Sequence, residues 1–171
     1  MDFVKLAKER FSARSYINRE ISSEIEQEIL EALRWAPSGK NQQPWKFIVI
    51  KDESVKAELK KACKNQKFIT QAPFIIVACG FAEKAYPAMG SYWNSVTVDV
   101  SIALTYAMLA ASSHNIKSCW VGAFYEDEVK KVLNIPENAM VVSIMAFGYT
   151  EESRKTDRKP VEEIICYDRF S

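Results

Sequence analysis

Apolar residues along this chain recur either at helical spacing or in short continuous runs, and the alternation of the two patterns predicts the order of elements. Phe3, Leu6 and Ala7 share one helical face over Asp2 to about Arg10. Ser23 and Glu26 form a capping-box pattern, after which Ile25, Ile29, Leu33 and Ala36 repeat at helical spacing until Pro37 stops the helix. The SGKNQQP that follows reads as a loop. Lys46 to Ile50 predicts a buried strand, Ser54 to Cys63 a short helix with Val55, Leu59 and Ala62 inward, and Pro73 to Cys79 a second strand. Phe81 to Trp93, rich in Gly, Pro and aromatics, predicts an irregular excursion over the surface or over a site.

The longest apolar stretch runs from Val96 to Ala111 and contains Asp99, Ser101 and Thr105. Its length and polar residues make it a weak case for a membrane span, so a central helix covered by protein is the better reading. A helix apolar almost all round needs cover on both sides, which a second copy of the chain would supply. Ser118 to Val121 predicts a short strand, Glu126 to Leu133 a helix, and Met140 to Phe147 the last long strand. Beyond a charged, turn-like TEESRKTDRKP the chain ends in VEEIICYDRFS. A free end is normally polar and frayed, so Ile164, Ile165, Tyr167 and Phe170 are expected to dock onto something.

Composition removes several classes of function. The length of 171 residues suits one domain, residues 1–171, and 23 basic against 22 acidic side chains leave a net charge of +1. Bulk electrostatics therefore argue against a nucleic acid or an anionic membrane as partner. The segments RFSAR and SRKTDRK lack the interleaved stacking aromatics of a nucleic-acid module. The opening MDFVKLAKER has no apolar signal region, so the expected location is cytoplasmic. Cys63, Cys79, Cys119 and Cys166 are scattered without a CxxC pair, which leaves no support for a metal site and favours thiols packed as small hydrophobes. His114 is the only histidine, so a hydrolytic triad would rest on that residue alone.

Two stretches offer chemistry that packing explains poorly. In an extended segment Arg10, Ser12 and Arg14 point to one side, and two guanidiniums with a hydroxyl suit a phosphate. From Pro37 to Trp45 a helix-stopping proline, Gly39 and Pro44 give a stiff loop lined by amides and hydroxyls, able to hydrogen-bond the edge of a planar heterocycle. No GxGxxG or GxxxxGK[ST] is present, which argues against Rossmann and P-loop nucleotide sites.

ERFSARSY followed by EALRWAPSGKNQQPWKFIVIKD resembles the N-terminal signature of the nitroreductase family of FMN-dependent oxidoreductases, in its short single-domain form. The resemblance continues through Ala72-Pro73, the long helix after Asp99, SCWVGAF at Ser118 to Phe124 and the RKP at Arg158. It implies an α+β, three-layer fold with a mostly antiparallel central sheet flanked by helices, in an intertwined homodimer that exchanges C-terminal strands. It also implies FMN at the subunit interface and NADH or NADPH as electron donor, with hydride passing through flavin N5 to small oxidised acceptors such as nitroaromatics or quinones.

Carried onto this sequence, the resemblance implies that Arg10 and Ser12 hold the FMN phosphate, with Phe11 between them also among the cofactor contacts and Arg14 nearer the pyrimidine end, where a cation favours the reduced ring. Arg158 returns to complete the phosphate site; a second basic residue common two positions earlier is here Thr156, which shifts weight onto Arg154 or Lys155. Pro37, Ser38, Gly39 and Asn41 match the loop against the ring, and Asn65 matches an amide reaching it from the partner subunit. Trp120, Val121 and Gly122 match the backbone over the other flavin face. Tyr86, Tyr92, Trp93 and Phe124 are candidate aromatic walls for a flat acceptor, although packing also explains them. No side chain asks to be a general acid or base. The alternative is a redox-inactive FMN carrier or sensor of the same fold.

Overall fold

The computed structural model describes residues 2–154 and 156–170. Four strands form one sheet in the order β1-β2-β4-β3, with β1 Trp45–Ile50, β2 Phe74–Gly80, β3 Lys117–Val121 and β4 Met140–Gly148. All pairings among these four strands are antiparallel, and an isolated parallel bridge of Ser12 with Ser118 adjoins β3, in keeping with the mostly antiparallel sheet expected. The helices are α1 Phe3–Glu9, α2 Ser23–Arg34, α3 Glu53–Ala62, α4 Phe68–Gln71, α5 Val96–Ser113 and α6 Glu126–Leu133.

Strand alternation builds the layers. In β2, Phe74, Ile76 and Ala78 turn to one face and join Ile29, Leu33, Val100, Leu104 and Ala107 of α2 and α5. Ile75, Val77 and Cys79 turn to the other, against Leu59, Phe68, Ile69 and Val129 of α3, α4 and α6. Phe74 and Phe147 stack across neighbouring strands at 4.8 Å, on the α2/α5 side. The central sheet is thus buried on both faces, and β2 is buried along its whole length, which is why it reads as an unbroken apolar run.

Element ends differ from the sequence reading where polar side chains set them. The cap of α2 is Ser22, one residue before the expected Ser23, with its hydroxyl accepting from the Ile25 N–H. Asp52 caps α3 by accepting from the N–H groups of Ser54 and Val55, so that helix starts at Glu53. Helix α4 was not expected; at four residues it is below the length at which periodicity is visible. The excursion of 81–93 holds one short turn, Ala82–Lys84, and a Met89–Trp93 bridge. His114 is spent on Glu28 at 2.8 Å, which ties the end of α5 to α2.

Helix α5 carries Val96, Val100, Ala103, Leu104, Ala107 and Ala111 into the protein, while Val98, Ile102 and Thr105 are half-buried and Tyr106 is exposed. Among the described residues the tail is not buried against its own chain. Residues 161–170 are exposed throughout, Phe170 fully, and they contain a short Val161–Glu163 turn and no strand.

Gly148, which ends β4, marks a close approach. A methyl group there would lie 2.7 Å from Tyr16 Cδ1 and 2.9 Å from Pro73 Cδ. Tyr16 cannot retreat easily, because its ring is buried and its hydroxyl donates to the Ala146 carbonyl at 3.2 Å. Gly148→Ala is therefore expected to destabilise the protein by about 1–3 kcal/mol through overpacking, read as a lower midpoint at unchanged slope in a urea melt. An unchanged midpoint would show that the contact relaxes freely.

Candidate functional site

The Arg10–Arg14 segment leaves α1 in extended conformation and runs along the outer edge of β3. Ser12 forms a parallel bridge with Ser118, and the Ala13 N–H donates to the Ser118 carbonyl at 3.2 Å. Phe11 and Ala13 turn into the core, so Arg10, Ser12 and Arg14 fall on the outward side, as period-two geometry predicts. Phe11, expected among the cofactor contacts, is 8% exposed and serves instead as the anchor that fixes the segment. Parallel register sets Arg14 level with Trp120, and Trp120 is itself 37% exposed. Val121 is buried, whereas Gly122 is open, with nothing within 4 Å of where a side chain would stand.

No carboxylate pairs with the guanidinium of Arg10 or Arg14 among the described residues. Glu152 accepts from the Arg14 backbone N–H at 2.9 Å and is matched by Arg154 at 3.4 Å. The cation drawn up to this edge is thus Arg154, while the Arg158 guanidinium donates locally to the Asp157 carbonyl. Cys119, beneath the segment, is buried, and that burial pushes its thiol up despite the opposing field of Arg14. Burial likewise pushes Cys63 up to about 12 and Cys79 to about 11. These three thiols are packing groups rather than nucleophiles.

Asn65 follows α3 in left-handed conformation (φ 58°) with its side chain exposed. The adjacent Gln66 donates to the Ala123 carbonyl at 3.0 Å, which puts Asn65 beside the 122–124 turn of its own chain. In the resemblance Asn65 reached the ring from the partner; here it sits on the Trp120–Gly122 side.

The Pro37–Asn41 loop lies before β1, on the opposite edge of the sheet. Both groups face the same end, since Trp45 pairs with Gly80 and Gly80 with Met140, but β2 and β4 stand between them. Three interstrand spacings separate the edges by about 14 Å. The loop is held tightly: Ser38 Oγ accepts from the Gln43 N–H at 2.9 Å, and Asn41 Oδ1 accepts from Gln43 Nε2 at 3.2 Å. Lys40, Asn41 and Gln43 all have positive φ, each at a cost of about 1 kcal/mol that the surrounding contacts must offset. Sequence reasoning missed what holds it. The Gly39 N–H donates to the buried Asp99 of α5 at 3.0 Å, and the available signal was a carboxylate in the first turn of an otherwise apolar helix.

A cleft of about 740 Å³ lies elsewhere, between residues 16–23, Lys51, Lys56 and Gln71–Phe74. Its two lysines are spent on carboxylates, Lys51 on Glu26 and Lys56 on Glu53, both at 2.6 Å, and its Arg19 guanidinium lies 3.9 Å over the Tyr149 ring. It offers a phosphate less than the β3 edge does. Among the described residues no group of three or more His, Cys, Asp and Glu forms a metal site.

Comparison with known proteins identifies the family and the fold. The model of the nitroreductase family matches residues 7–67 and 60–149, which include both motifs and all four strands. An Archaeoglobus fulgidus protein of the NADH dehydrogenase/NAD(P)H nitroreductase kind is 33% identical over 156 residues, covering 88% of this chain and 87% of that one. A nitroreductase family protein from Clostridium difficile 630 superposes with a TM-score of 0.88 at 31% identity, over 99% of this chain and 100% of the other. A structure from C. difficile R20291 named as an FMN-dependent nitroreductase gives 0.85 at 26% identity, over 98% and 99%. This chain belongs to the nitroreductase family.

Proposed function

We propose that this protein is an FMN-dependent oxidoreductase that takes hydride from NADH or NADPH and delivers it to small oxidised acceptors, nitroaromatics and quinones being the expected classes. The observation that carries the reading is the outward row of Arg10, Ser12 and Arg14 fixed along β3 beside open backbone at Gly122. The donor set fits FMN. Two guanidiniums free of carboxylate partners and one hydroxyl match a phosphate dianion, and unobstructed backbone suits a flat ring.

In this reading Arg10 and Ser12 bind the phosphate, and Arg14 supplies positive charge to the pyrimidine end. Trp120, Val121 and Gly122 bound one face of the ring, and Asn65 contributes its amide from the same side. Pro37, Ser38, Gly39 and Asn41 bound the ring from a second copy of the chain, because their own copy holds them across the width of the sheet. The site therefore belongs to a homodimer. Two surfaces support one: the half-buried face of α5 with Trp93 and Tyr106, and the apolar tail, whose strand would add to an edge of the partner's sheet. Arg158 lies in that tail region and joins the phosphate group when it settles. When bound, FMN supplies hydride transfer at N5; the chain's work is to hold it, expose one face and exclude side reactions, while water supplies the proton to the reduced acceptor.

The test is the visible spectrum of the purified protein before and after NADH or NADPH is added under argon. The expected outcome is a flavin spectrum that bleaches with at least one donor and returns with a quinone. A stable yellow protein that neither donor bleaches would favour the carrier or sensor alternative, and a colourless protein that ignores added FMN would sink both.

A further inference from the structure

Helix α5 begins with a buried carboxylate that has no cation beside it. Asp99 is 3% exposed, and no ion pair reaches it among the described residues. A charge taken out of water at such a site must be compensated by directed donors. Both of its oxygens have one: Oδ1 accepts from the Gly39 N–H at 3.0 Å, and Oδ2 from the Ser95 hydroxyl at 2.6 Å. The position in the first turn of α5 adds the favourable helix dipole.

The second donor passes the link onward. With its hydrogen directed at Asp99, Ser95 Oγ accepts from the Tyr86 N–H at 3.2 Å, and the Ser95 N–H returns a bond to the Tyr86 carbonyl at 2.9 Å. Packing reinforces the polar links. A methyl group on Gly39 would stand 2.8 Å from Tyr86 Cβ and 3.1 Å from Ser95 Oγ, and the Lys40 ammonium lies 5.1 Å from the centre of the Tyr86 ring. The 37–43 loop, distant in sequence, thus meets the 81–93 excursion and the adjoining start of α5 on one carboxylate.

We propose that Asp99, acting through Ser95, is a positioning residue that makes the loop and the excursion one body, so that the contacts to the flavin and to the acceptor are set together. The proposal rests on the functional reading above in assigning the loop to the flavin and the excursion to the acceptor. Tyr86 is then the wall of the acceptor site whose distance from the ring is fixed by hydrogen bonds rather than by loop packing. Tyr92, 85% exposed, and the rest of the excursion are free to vary without moving the flavin loop.

The two bonds are separable by mutation. Ser95→Ala removes the hydroxyl's bonds to Asp99 and the Tyr86 N–H and keeps the backbone bond to Tyr86 and the Gly39 bond, Asp99→Ala removes both bonds to the carboxylate and with them the anchor of the Ser95 hydroxyl, and Asp99→Asn keeps an acceptor for Gly39. Amide hydrogen exchange on protein stripped of flavin reads the links directly. Ser95→Ala should speed exchange at Tyr86 by roughly tenfold and leave Gly39 unchanged, while Asp99→Ala should speed both. In the loaded enzyme, with p-benzoquinone as the acceptor, Ser95→Ala should raise the acceptor KM with FMN affinity unchanged. Asp99→Ala should weaken FMN by roughly tenfold, and Asp99→Asn should restore most of that loss.

The proposal fails if Ser95→Ala leaves both Tyr86 exchange and the acceptor KM at their original values, or if Asn and Ala at position 99 lose FMN equally. Should Asp99→Ala not fold, Ser95→Ala and Asp99→Asn still decide it. A wild-type protein that binds no FMN defeats the functional reading instead, and the exchange pattern then still tests the coupling.

Discussion

Truncation after Pro160 is expected to give a chain that is insoluble, or soluble but colourless. Residues 161–170 put Val161, Ile164, Ile165, Tyr167 and Phe170 at 56%, 63%, 47%, 85% and 101% exposure, an apolar load that leaves a contiguous run of hydrophobic side chains in water. Covering those five side chains on a second copy would contribute on the order of 5–10 kcal/mol before the cost of ordering the segment. Strand β1 offers a place for them, since it pairs only with β2 among the described strands and its outer edge is open. Because the two halves of the proposed flavin site lie on opposite sheet edges, loss of the dimer removes the site. Light scattering and the absorbance near 450 nm of the same fractions are the measurement. A truncated protein that is dimeric and yellow would show that the tail is dispensable, and a yellow monomer would overturn the shared site as well. Ile164→Asp with Phe170→Ser in the full chain is the gentler form of the experiment, and should shift the dimer toward monomer as the flavin is lost.

The layered fold is largely written in the pattern of apolar residues, because each face is filled by one periodicity. Ile29 and Leu33 at helical spacing, and the run Phe74 to Gly80, can be satisfied only by a helix packed on a buried strand. Polar choices were less legible. Ser22 and Ser23 are both able to cap α2, and a one-residue change in the approach of the chain decides between them. For the site, the outward parity of Arg10, Ser12 and Arg14 follows from local geometry and was visible. That the Pro37–Asn41 loop stands across the sheet from them was not, since it depends on the strand order β1-β2-β4-β3, set by pairings far apart in sequence. The Asp99 tie was hidden for the same reason. A carboxylate in an apolar helix announces that it has partners without naming Gly39, which is 60 positions away.

Arg10→Ala and Arg14→Ala are expected to fail in different ways, and that difference tests the assignment of the two guanidiniums. Removing a charge-assisted contact to a phosphate dianion costs roughly 10- to 100-fold in affinity, so Arg10→Ala should yield protein purified largely without FMN that reloads only at high flavin concentration. The loss should be smaller in high salt, because ions already screen the native pair. Arg14 stands level with Trp120 on the half-exposed edge of β3, and Glu152 is bonded to its backbone N–H rather than to its guanidinium. Its charge is left to act on the ring. Arg14→Ala should therefore retain more flavin and lower the reduction potential of what is bound, since a cation beside the pyrimidine end stabilises the reduced, more negative state. Arg14→Lys keeps the charge and should recover most of the potential, although a point charge on a flexible stem replaces a planar fork. Titration of apo-protein with FMN and equilibration with a redox dye give the two numbers for each variant. An Arg14→Ala protein with FMN bound at an unchanged potential would remove Arg14 from the ring, and an Arg10→Ala protein with full affinity at low salt would remove the phosphate from the β3 edge.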